Sequence, residues 1–293
     1  MDASVSFVAP RAGRGTPRRM LDALLFSSVW LSGAAAVQTA ASFHRWPTAG
    51  GVNGRVVALV FAATLLVYNL DAALPFKHRQ PAAGSGRKAW QQRHRRALAA
   101  LAVAAALAAG YFFLADGWWH YLPALLPLTG LALLYSWPLV RWQGQRRAVR
   151  EVPLLKGFLI AGVWSAITVG LPALALHRPL GEAMGLLVQR FCLVLALTIV
   201  FDIRDLTRDR AAGTRTFPLV LGVGGAKAAA LGFLAAALTL GYERGVPPLG
   251  LGLTALAAAA VILLAEERRN DYFFALWADG VLLVPAVLYL IGR

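Results

Sequence analysis

The hydrophobic residues of this chain fall into nine long apolar runs, and the short segments between the runs hold most of the charged residues. A helix that crosses the hydrocarbon layer of a membrane needs about 20 mostly apolar residues, which is close to the length of each run. The strands of a transmembrane β-barrel would instead alternate apolar and polar residues. The pattern predicts an all-α polytopic membrane protein with spans at about 20–42, 55–74, 97–114, 119–138, 155–175, 184–202, 219–241, 248–265 and 272–291.

The composition agrees with a membrane protein and excludes several other classes. Of the 293 residues, 58% are hydrophobic and 15% are charged, whereas an average soluble domain has about 25% charged residues. The single cysteine, Cys192, excludes a disulfide framework and a zinc site built from cysteines. The connections are short, so we predict one membrane domain over 1–293, in which a basic tail at 1–19 precedes the first span.

The basic residues indicate how the chain is oriented. A net charge of +15 would suggest a nucleic-acid partner in a soluble protein. Here most of the 29 lysines and arginines fall on one side of the membrane when the loops are assigned to alternate sides. Because basic loops stay in the cytoplasm, we expect the N-terminus inside and the C-terminus outside, in a bacterial cytoplasmic membrane. We infer a lipid bilayer as the surroundings, with no nucleic acid and no protein partner.

Three aspartates at the end of the sixth predicted span carry the strongest chemical signal. Asp202, Asp205 and Asp209 stand at positions i, i+3 and i+7, so on a continuing helix their carboxylates share one face. Like charges placed together at the end of an apolar span are costly unless a cation offsets them. Mg²⁺ is a suitable cation because it binds carboxylate and phosphate oxygens. A solvated helix end of mixed charge explains the same spacing equally well.

The segment that contains these aspartates, FDIRDLTRDRAAGTRTFPLVLG from Phe201 to Gly222, resembles the second aspartate-rich motif of the UbiA family of intramembrane prenyltransferases. In that motif the aspartates are followed by Gly, by Thr-(Leu/Phe)-Pro and by Leu-Gly. The segment LYSWPL at the end of the fourth span is similar to the family's Tyr-Ser-x-Pro-Leu segment, and a Lys-Gly pair follows at a similar distance. The matching residues are Gly213, Thr216, Phe217, Pro218, Leu221 and Gly222, then Leu134–Leu139, then Lys156 and Gly157.

The resemblance implies nine transmembrane helices around a central cavity that opens toward lipid. It also implies that Asp202, Asp205 and Asp209 are both the catalytic residues and the Mg²⁺ ligands. The partners would be a prenyl diphosphate and an acceptor small molecule, often an aromatic one, to which the isoprenoid group is transferred. The chemistry is physically consistent, because cations favour departure of the diphosphate and a dry cavity protects the carbocation from water.

Eight further residues are candidate substrate ligands. Asp279 lies inside the ninth predicted span, where a carboxylate either binds a ligand or pairs with a polar group of a neighbouring helix. Tyr135 either contacts substrate or belongs to the aromatic belt at the membrane surface. The basic candidates either bind phosphate or extend toward the headgroups. The remaining candidates are Asn69 and Asp71 at the end of the second span, and the basic residues Lys77, Arg79, Arg141 and Lys156.

The first aspartate-rich motif of the family, Asn/Asp-Asp-x-x-Asp-x-x-x-Asp, is not reproduced here. If Asn69 takes its first position, the aspartate positions hold Leu70, Ala73 and Lys77. If Asp71 takes the middle aspartate position instead, the flanking aspartate positions hold Tyr68 and Pro75. One hypothesis is that the diphosphate is still bound, with one Mg²⁺ on the second motif and basic residues in place of a second metal. The other is that the chain has diverged into an isoprenoid-lipid-binding protein. We favour the first, because loss of catalysis should also have relaxed the second motif, which is intact.

Two other classes of function share features with this sequence. A UbiA-type terpene cyclase would use the same diphosphate site without an acceptor pocket. A transporter is the nearest alternative on composition, but transporters usually place their polar sites near the middle of the bilayer. Here the carboxylates lie at one face of the membrane, which fits an enzyme better.

Overall fold

The computed structural model describes residues 15–46, 51–74, 85–134, 140–142, 145–147 and 154–291, and these residues are almost entirely helical. The helices before residue 135 are α1 (Thr16–Phe26), α2 (Val29–Phe43), α3 (Gly54–Ala73), α4 (Gly86–Arg93), α5 (Arg95–Ala115), a 3-10 turn (Trp118–Tyr121) and α6 (Leu122–Leu134). A small antiparallel hairpin of β1 (Val140–Trp142) and β2 (Gln145–Arg147) follows, in which Arg141 lies opposite Arg146.

The second half of the chain contains two spans with π-helical segments. Its helices are α7 (Leu155–Ser165), a π-helix (Ala166–Gly170), α8 (Leu171–Ala175), α9 (Leu180–Arg204), α10 (Leu206–Ala211), α11 (Phe217–Glu243), α12 (Pro248–Leu264), a second π-helix (Phe273–Ala278), α13 (Asp279–Val281) and α14 (Leu283–Ile291). A π-helix inserts an extra residue into a turn and is frequent at functional sites.

Five helical segments of the described chain are long and apolar enough to cross a membrane: α3, α5, α7 with α8, α9 and α11. The count rises to seven if each of two bent pairs forms one span, α1 with α2 and Phe273–Val281 with α14. The prediction of an all-α membrane protein is therefore confirmed, but the prediction of nine spans is not. Three features separate the two counts: the first and last spans are bent, α12 has only 17 residues, and the fourth predicted span lies partly outside the described residues.

The first span is bent by 56° between α1 and α2. The bend occurs at Ser28, which has a left-handed backbone with φ of 64°. A break of this kind frees carbonyl groups from the helical ladder, and buried carbonyls need donors. The amide of Asn69 in α3 donates to the Ser27 carbonyl at 2.8 Å, and the amide of Gln91 in α4 donates to the Phe26 carbonyl at 3.0 Å. Side chains from two other helices thus stabilise the break.

The buried side chain of Gln38 in α2 forms hydrogen bonds to two other spans of the bundle. Its Oε1 accepts a hydrogen bond of 2.6 Å from the indole nitrogen of Trp164 in α7. Its Nε2 donates at 2.8 Å to the carbonyl of Leu282, which lies at the 44° bend between α13 and α14. Since each partner belongs to a different span, one side chain fixes their relative positions.

The centre of the bundle is α9, which packs against α7, α11 and α12. Every residue from Cys192 to Val200 is buried, as expected of a helix that is hydrophobic on all sides. Helix α7 approaches α9 closely at Gly157, where a Cβ atom would lie 3.0 Å from Thr198 Oγ1. This close approach brings the preceding residue, Lys156, to the end of α9 that carries the aspartates.

An apolar cavity of about 510 Å³, which is widely open to the surface, lies between α2, α3 and α5. Its lining runs along α3 from Gly54 to Leu65 and includes Phe61 of α3 and Phe112 of α5. The cavity therefore reaches to within one helical turn of Asn69, and its walls are hydrocarbon.

Candidate active site

The three aspartates of the second motif lie where two helices meet. Helix α9 ends at Arg204, Asp205 occupies the turn, and α10 begins at Leu206. The expectation of one continuing helix is wrong at this point, because the backbone turns at Asp205, where ψ is 11°. The amide of Asp205 still donates to the Phe201 carbonyl at 3.1 Å, and its carbonyl accepts from the Asp209 amide at 2.8 Å. We call the junction of α9 and α10, with Asp202, Asp205 and Asp209, the acidic end of the bundle.

The three carboxylates nevertheless surround one cation, the ammonium group of Lys156. Its Nζ lies 2.8 Å from Asp202 Oδ1, 3.5 Å from Asp209 Oδ2 and 4.0 Å from Asp205 Oδ2. Asp202 is only 2% exposed. Burial of an unpaired carboxylate is costly, so the ammonium group is the charge that stabilises this cluster within the described chain.

A second cation neutralises Asp205. The guanidinium of Arg204 donates from Nε and Nη2 to the two oxygens of Asp205, both at 3.1 Å, which is the two-pronged geometry that arginine favours. Burial by itself would raise the pKa of Asp205. The guanidinium groups of Arg204 and Arg208 outweigh burial and hold the pKa well below its usual range.

The guanidinium of Arg204 also lies over two aromatic rings. Its centre is 5.0 Å from the centroid of Phe201 and 5.5 Å from that of Phe274, both within the range of a cation–π contact. These rings and Asp205 together fix Arg204 in place at the acidic end.

The carboxylate of Asp209 is the least satisfied of the three. Its Oδ2 is buried and has no hydrogen-bond partner among the described residues. Burial raises the pKa of Asp209, and Lys156 only partly opposes this.

The resemblance implies that the acidic end binds a divalent cation, so the side chains there must offer suitable ligands. No three His, Cys, Asp or Glu side chains in the described ranges are placed to hold a metal ion by themselves. The ammonium of Lys156 lies within 4.0 Å of all three carboxylates. The donor chemistry fits, since all three side chains are carboxylates and one buried oxygen of Asp209 is unsatisfied.

The chain leaves α10 through a turn that holds the acidic end together. Gly213 has a left-handed φ of 66°, which glycine adopts without steric cost. It lets the amide of Thr214 donate to the Asp209 carbonyl at 2.9 Å, so that the last turn of α10 is capped. The carbonyl of Arg215 then accepts from the amide of Leu154 at 2.8 Å, which attaches this loop to the start of α7. The loop thereby fixes Lys156 relative to Asp209.

The other predicted site residues have different positions. Asn69 is buried and commits its amide to the carbonyls of Ser27 and Leu65, each at 2.8 Å. Asp71 lies half-buried in the last turn of α3 and interacts electrostatically with Tyr68. Asp279 is buried at the start of α13. Lys77, Arg79 and Tyr135 lie outside the described residues, and of Arg141 only the backbone, in β1, is described.

The structure adds two basic residues that the sequence reasoning did not single out. Arg87 and Lys88 lie in α4, the short helix after the predicted second span. Arg87 interacts electrostatically with Arg204 and Asp279, and Lys88 with Asp205 and Arg208. The signal was a pair of basic residues just after Ser85, whose hydroxyl caps α4 by accepting from the Lys88 amide at 3.2 Å.

Comparison with known proteins identifies a structural relative. The chain superposes on the apo structure of a UbiA homolog from Aeropyrum pernix K1 with a TM-score of 0.59, over 92% of this chain and 97% of that one, at 21% sequence identity. No family model and no curated protein matches the sequence. The predicted fold of the helical bundle is therefore confirmed: it is that of a UbiA homolog.

Proposed function

We propose that the chain, which has the fold of a UbiA homolog, belongs to the UbiA family and is an intramembrane prenyltransferase. Its substrates would be a prenyl diphosphate and an acceptor small molecule. The observation that carries the proposal is the convergence of Asp202, Asp205 and Asp209 on Lys156 at the end of the central helix. A solvated helix end of mixed charge would leave these side chains exposed, but they are largely buried.

In the proposed reaction the bond between C1 of the prenyl group and the diphosphate oxygen breaks. C1 then forms a bond to the acceptor, the acceptor loses a proton, and the diphosphate leaves with both electrons of the broken bond. Mg²⁺ held by Asp202, Asp205 and Asp209 would supply positive charge at the leaving oxygens. Lys156 lies among the same carboxylates, so its ammonium group is placed to bind a diphosphate oxygen.

The surroundings of the acidic end suit this chemistry. The rings of Phe201 and Phe274, with centroids 6.0 Å apart, form an apolar wall beside Arg204. Apolar walls exclude water, which would otherwise capture the carbocation. The cavity between α2, α3 and α5 has the hydrocarbon lining that an isoprenoid chain requires.

Binding of geranylgeranyl diphosphate to the purified chain in lipid nanodiscs tests the proposal, by titration with Mg²⁺ and with EDTA. The variant Asp209→Asn removes one charge from an oxygen that lies 3.5 Å from Lys156 Nζ and has no hydrogen-bond partner among the described residues. Lys156 keeps its closer partner Asp202 at 2.8 Å, so the fold should stay intact. The control is Asp116→Asn, which removes a carboxylate at the opposite end of the bundle, where Asp116 pairs with Arg55 at 3.2 Å.

We expect Mg²⁺ to strengthen binding at least tenfold in the wild type and in Asp116→Asn, but not in Asp209→Asn. An affinity for geranylgeranyl diphosphate that changes neither with Mg²⁺ nor with the Asp209 substitution would reject the proposal. Release of pyrophosphate with an acceptor present would then separate transfer from binding alone. Product formed from the donor by itself would indicate a cyclase.

A further inference from the structure

Arginines are scarce at the end of the bundle opposite the acidic end, where α2 and α11 finish and α9 begins. Such scarcity is expected on the outer side of a membrane, where we predict this end to lie. Two of the arginines there are neutralised by ion pairs, Arg55 with Asp116 at 3.2 Å and Arg178 with Glu182 at 3.7 Å. In the described part of the chain, four arginines occupy loops or helix ends at this place: Arg45, Arg55, Arg178 and Arg244.

Arg45 and Arg244, which have no acidic partner, lie together. Nη2 of Arg45 donates a hydrogen bond of 2.5 Å to the main-chain carbonyl of Arg244. The two guanidinium groups are therefore separated by no more than the length of one arginine side chain and one hydrogen bond. Neither group lies within 4.0 Å of a carboxylate of the described residues, and Glu243, the nearest acid in sequence, is exposed. Like charges placed so close repel each other, so the pair favours an anion.

Both guanidinium groups have fixed positions, although most of their donors are unused. Nη1 of Arg244 donates to the Leu240 carbonyl at 3.0 Å, and the group lies against Gly185 of α9, where a Cβ atom would overlap it. The guanidinium of Arg45 lies over the ring of Tyr289, 5.2 Å from its centroid. A guanidinium has five N–H donors, and described residues accept from one donor of each group. The remaining donors are available to a ligand.

A third arginine adds positive charge deeper in the same region. Arg190 lies in α9, 12 residues and about 18 Å before Asp202, so the acidic end does not neutralise it. Its Nη2 forms a long hydrogen bond of 3.5 Å to Ser42 Oγ, and its Nη1 is buried without a partner among the described residues. The carbonyl of Ser42 in turn accepts from the Arg45 amide at 3.1 Å. Elements α2, α9 and α11 thus all bring positive charge to this end of the bundle.

The surface beside Arg45 and Arg244 is suited to a lipid rather than to a soluble anion. Tyr242 in the last turn of α11 is 70% exposed, and tyrosines concentrate at the level of the headgroups. Helix α12 begins four residues after Arg244, and its side chains Leu249 and Leu256 are 71% and 70% exposed. A phospholipid could contact these apolar side chains with its acyl chains while its phosphate contacts the arginines.

We propose that Arg45 and Arg244 bind the phosphate of an anionic phospholipid, such as phosphatidylglycerol, in the leaflet at this end of the bundle. Guanidinium groups suit this role because their parallel N–H groups match two oxygens of one phosphate. The bound headgroup connects the ends of α2 and α11 and removes the repulsion between their charges. The site lies at the opposite end from the three aspartates and does not depend on the proposed function.

Gly185→Ala tests the position of Arg244 without removing a charge. The added Cβ atom must displace the guanidinium, whereas alanine favours a helix more than glycine does, so the variant should fold. Gly181→Ala is the matched control, because Gly181 is exposed in the same helix and a Cβ atom there would contact nothing. Arg244→Gln removes the charge itself. Its control is Arg178→Gln, since Arg178 already pairs with Glu182.

The experiment is photolabelling of the full chain in phosphatidylcholine nanodiscs that contain a trace of phosphatidylglycerol with a photoreactive headgroup. Mass spectrometry of the labelled peptides separates labelling at this end from labelling elsewhere in the chain. We expect Gly185→Ala and Arg244→Gln to lower the labelling of residues 240–256 at least about threefold, and both controls to leave it unchanged. Equal labelling in each variant and its control would overturn the proposal.

Competition with unlabelled ligands identifies what the site binds. Phosphatidylglycerol should displace the label at concentrations at least about tenfold lower than phosphatidylcholine with the same acyl chains, and inorganic phosphate should not displace it. Equal displacement by the two lipids would show that the site does not recognise negative charge. Displacement by inorganic phosphate would show that the site takes a free anion. Either result would overturn the proposal.

Discussion

The side-chain amide of Asn69 lies 2.8 Å from the carbonyl oxygen of Ser27 and donates a hydrogen bond to it across the break in the first span. The same amide also donates to Leu65 of its own helix. In one of the two alignments considered above, Asn69 takes the first position of the incomplete motif. In this chain the residue serves the packing of α1 and α2 on α3.

Asn69→Asp should therefore destabilise the protein rather than restore a metal site. A carboxylate at this position would face two carbonyl oxygens and could donate to neither. The expected loss is about 1–3 kcal/mol, the cost of leaving buried polar groups unsatisfied. Thermal unfolding of the purified protein measures the loss, and Asn270→Asp is the control because aspartate caps the next helix as well as asparagine does. An unchanged unfolding temperature together with stronger Mg²⁺ binding would contradict this account of Asn69.

Lys156→Gln should leave three buried carboxylates without their shared cation. Removal of one partner from a buried ion pair costs about 3–5 kcal/mol, so the unfolding temperature in EDTA should fall clearly. Mg²⁺ should then stabilise this variant more than the wild type, since it replaces the missing positive charge.

The control for this prediction is Lys227→Gln in α11. Within the described part of the chain, the ammonium of Lys227 donates one hydrogen bond, of 2.7 Å to the Leu263 carbonyl, and forms no ion pair. Its loss should therefore be almost neutral and independent of Mg²⁺. If Lys156→Gln is as stable as the wild type in EDTA, the carboxylates are not held by Lys156.

Gln38→Leu should loosen the joint between α2, α7 and the last span. The variant loses the acceptor of the Trp164 indole and the donor to the Leu282 carbonyl, at an expected cost of about 1–2 kcal/mol. Denaturation of the purified protein measures this cost. Thr39→Val is the control, because Thr39 is equally buried but bonds only to Ala35 of its own helix. Similar losses of unfolding free energy in both variants would show that the hydrogen bonds of Gln38 to the other spans add no stability.

The predicted orientation can be tested with two single cysteines. Glu243 and Glu266 are both exposed and lie at opposite ends of the hairpin formed by α11 and α12. In a Cys192→Ser background, Glu243→Cys should react with an impermeant maleimide added to intact cells. Glu266→Cys should react only after the membrane is opened. The opposite pattern would place the acidic end outside.

The helical fold could be predicted from the sequence because continuous apolar runs are a strong local signal. It did not give the number of spans, since breaks such as the left-handed Ser28 depend on tertiary partners, here Asn69 and Gln91. Such partners lie far away along the chain and do not alter the local pattern of hydrophobic residues from which helices are predicted.

The candidate site was predicted in part. The spacing of Asp202, Asp205 and Asp209 predicted that their carboxylates lie together, and all three lie within 4.0 Å of Lys156 Nζ, although a turn rather than one helix face brings them there. The position of α4 was not predicted, because nothing in its local sequence shows which residues it packs against. That placement depends on Asp271, which caps α4 from 184 residues away.

The close packing at Gly157 has a consequence for how the protein is made. The counter-charge for the carboxylates is part of the polypeptide, and it reaches them as soon as α7 docks on α9. Docking of these two helices therefore offsets the repulsion among the three carboxylates with a charge that the chain itself carries.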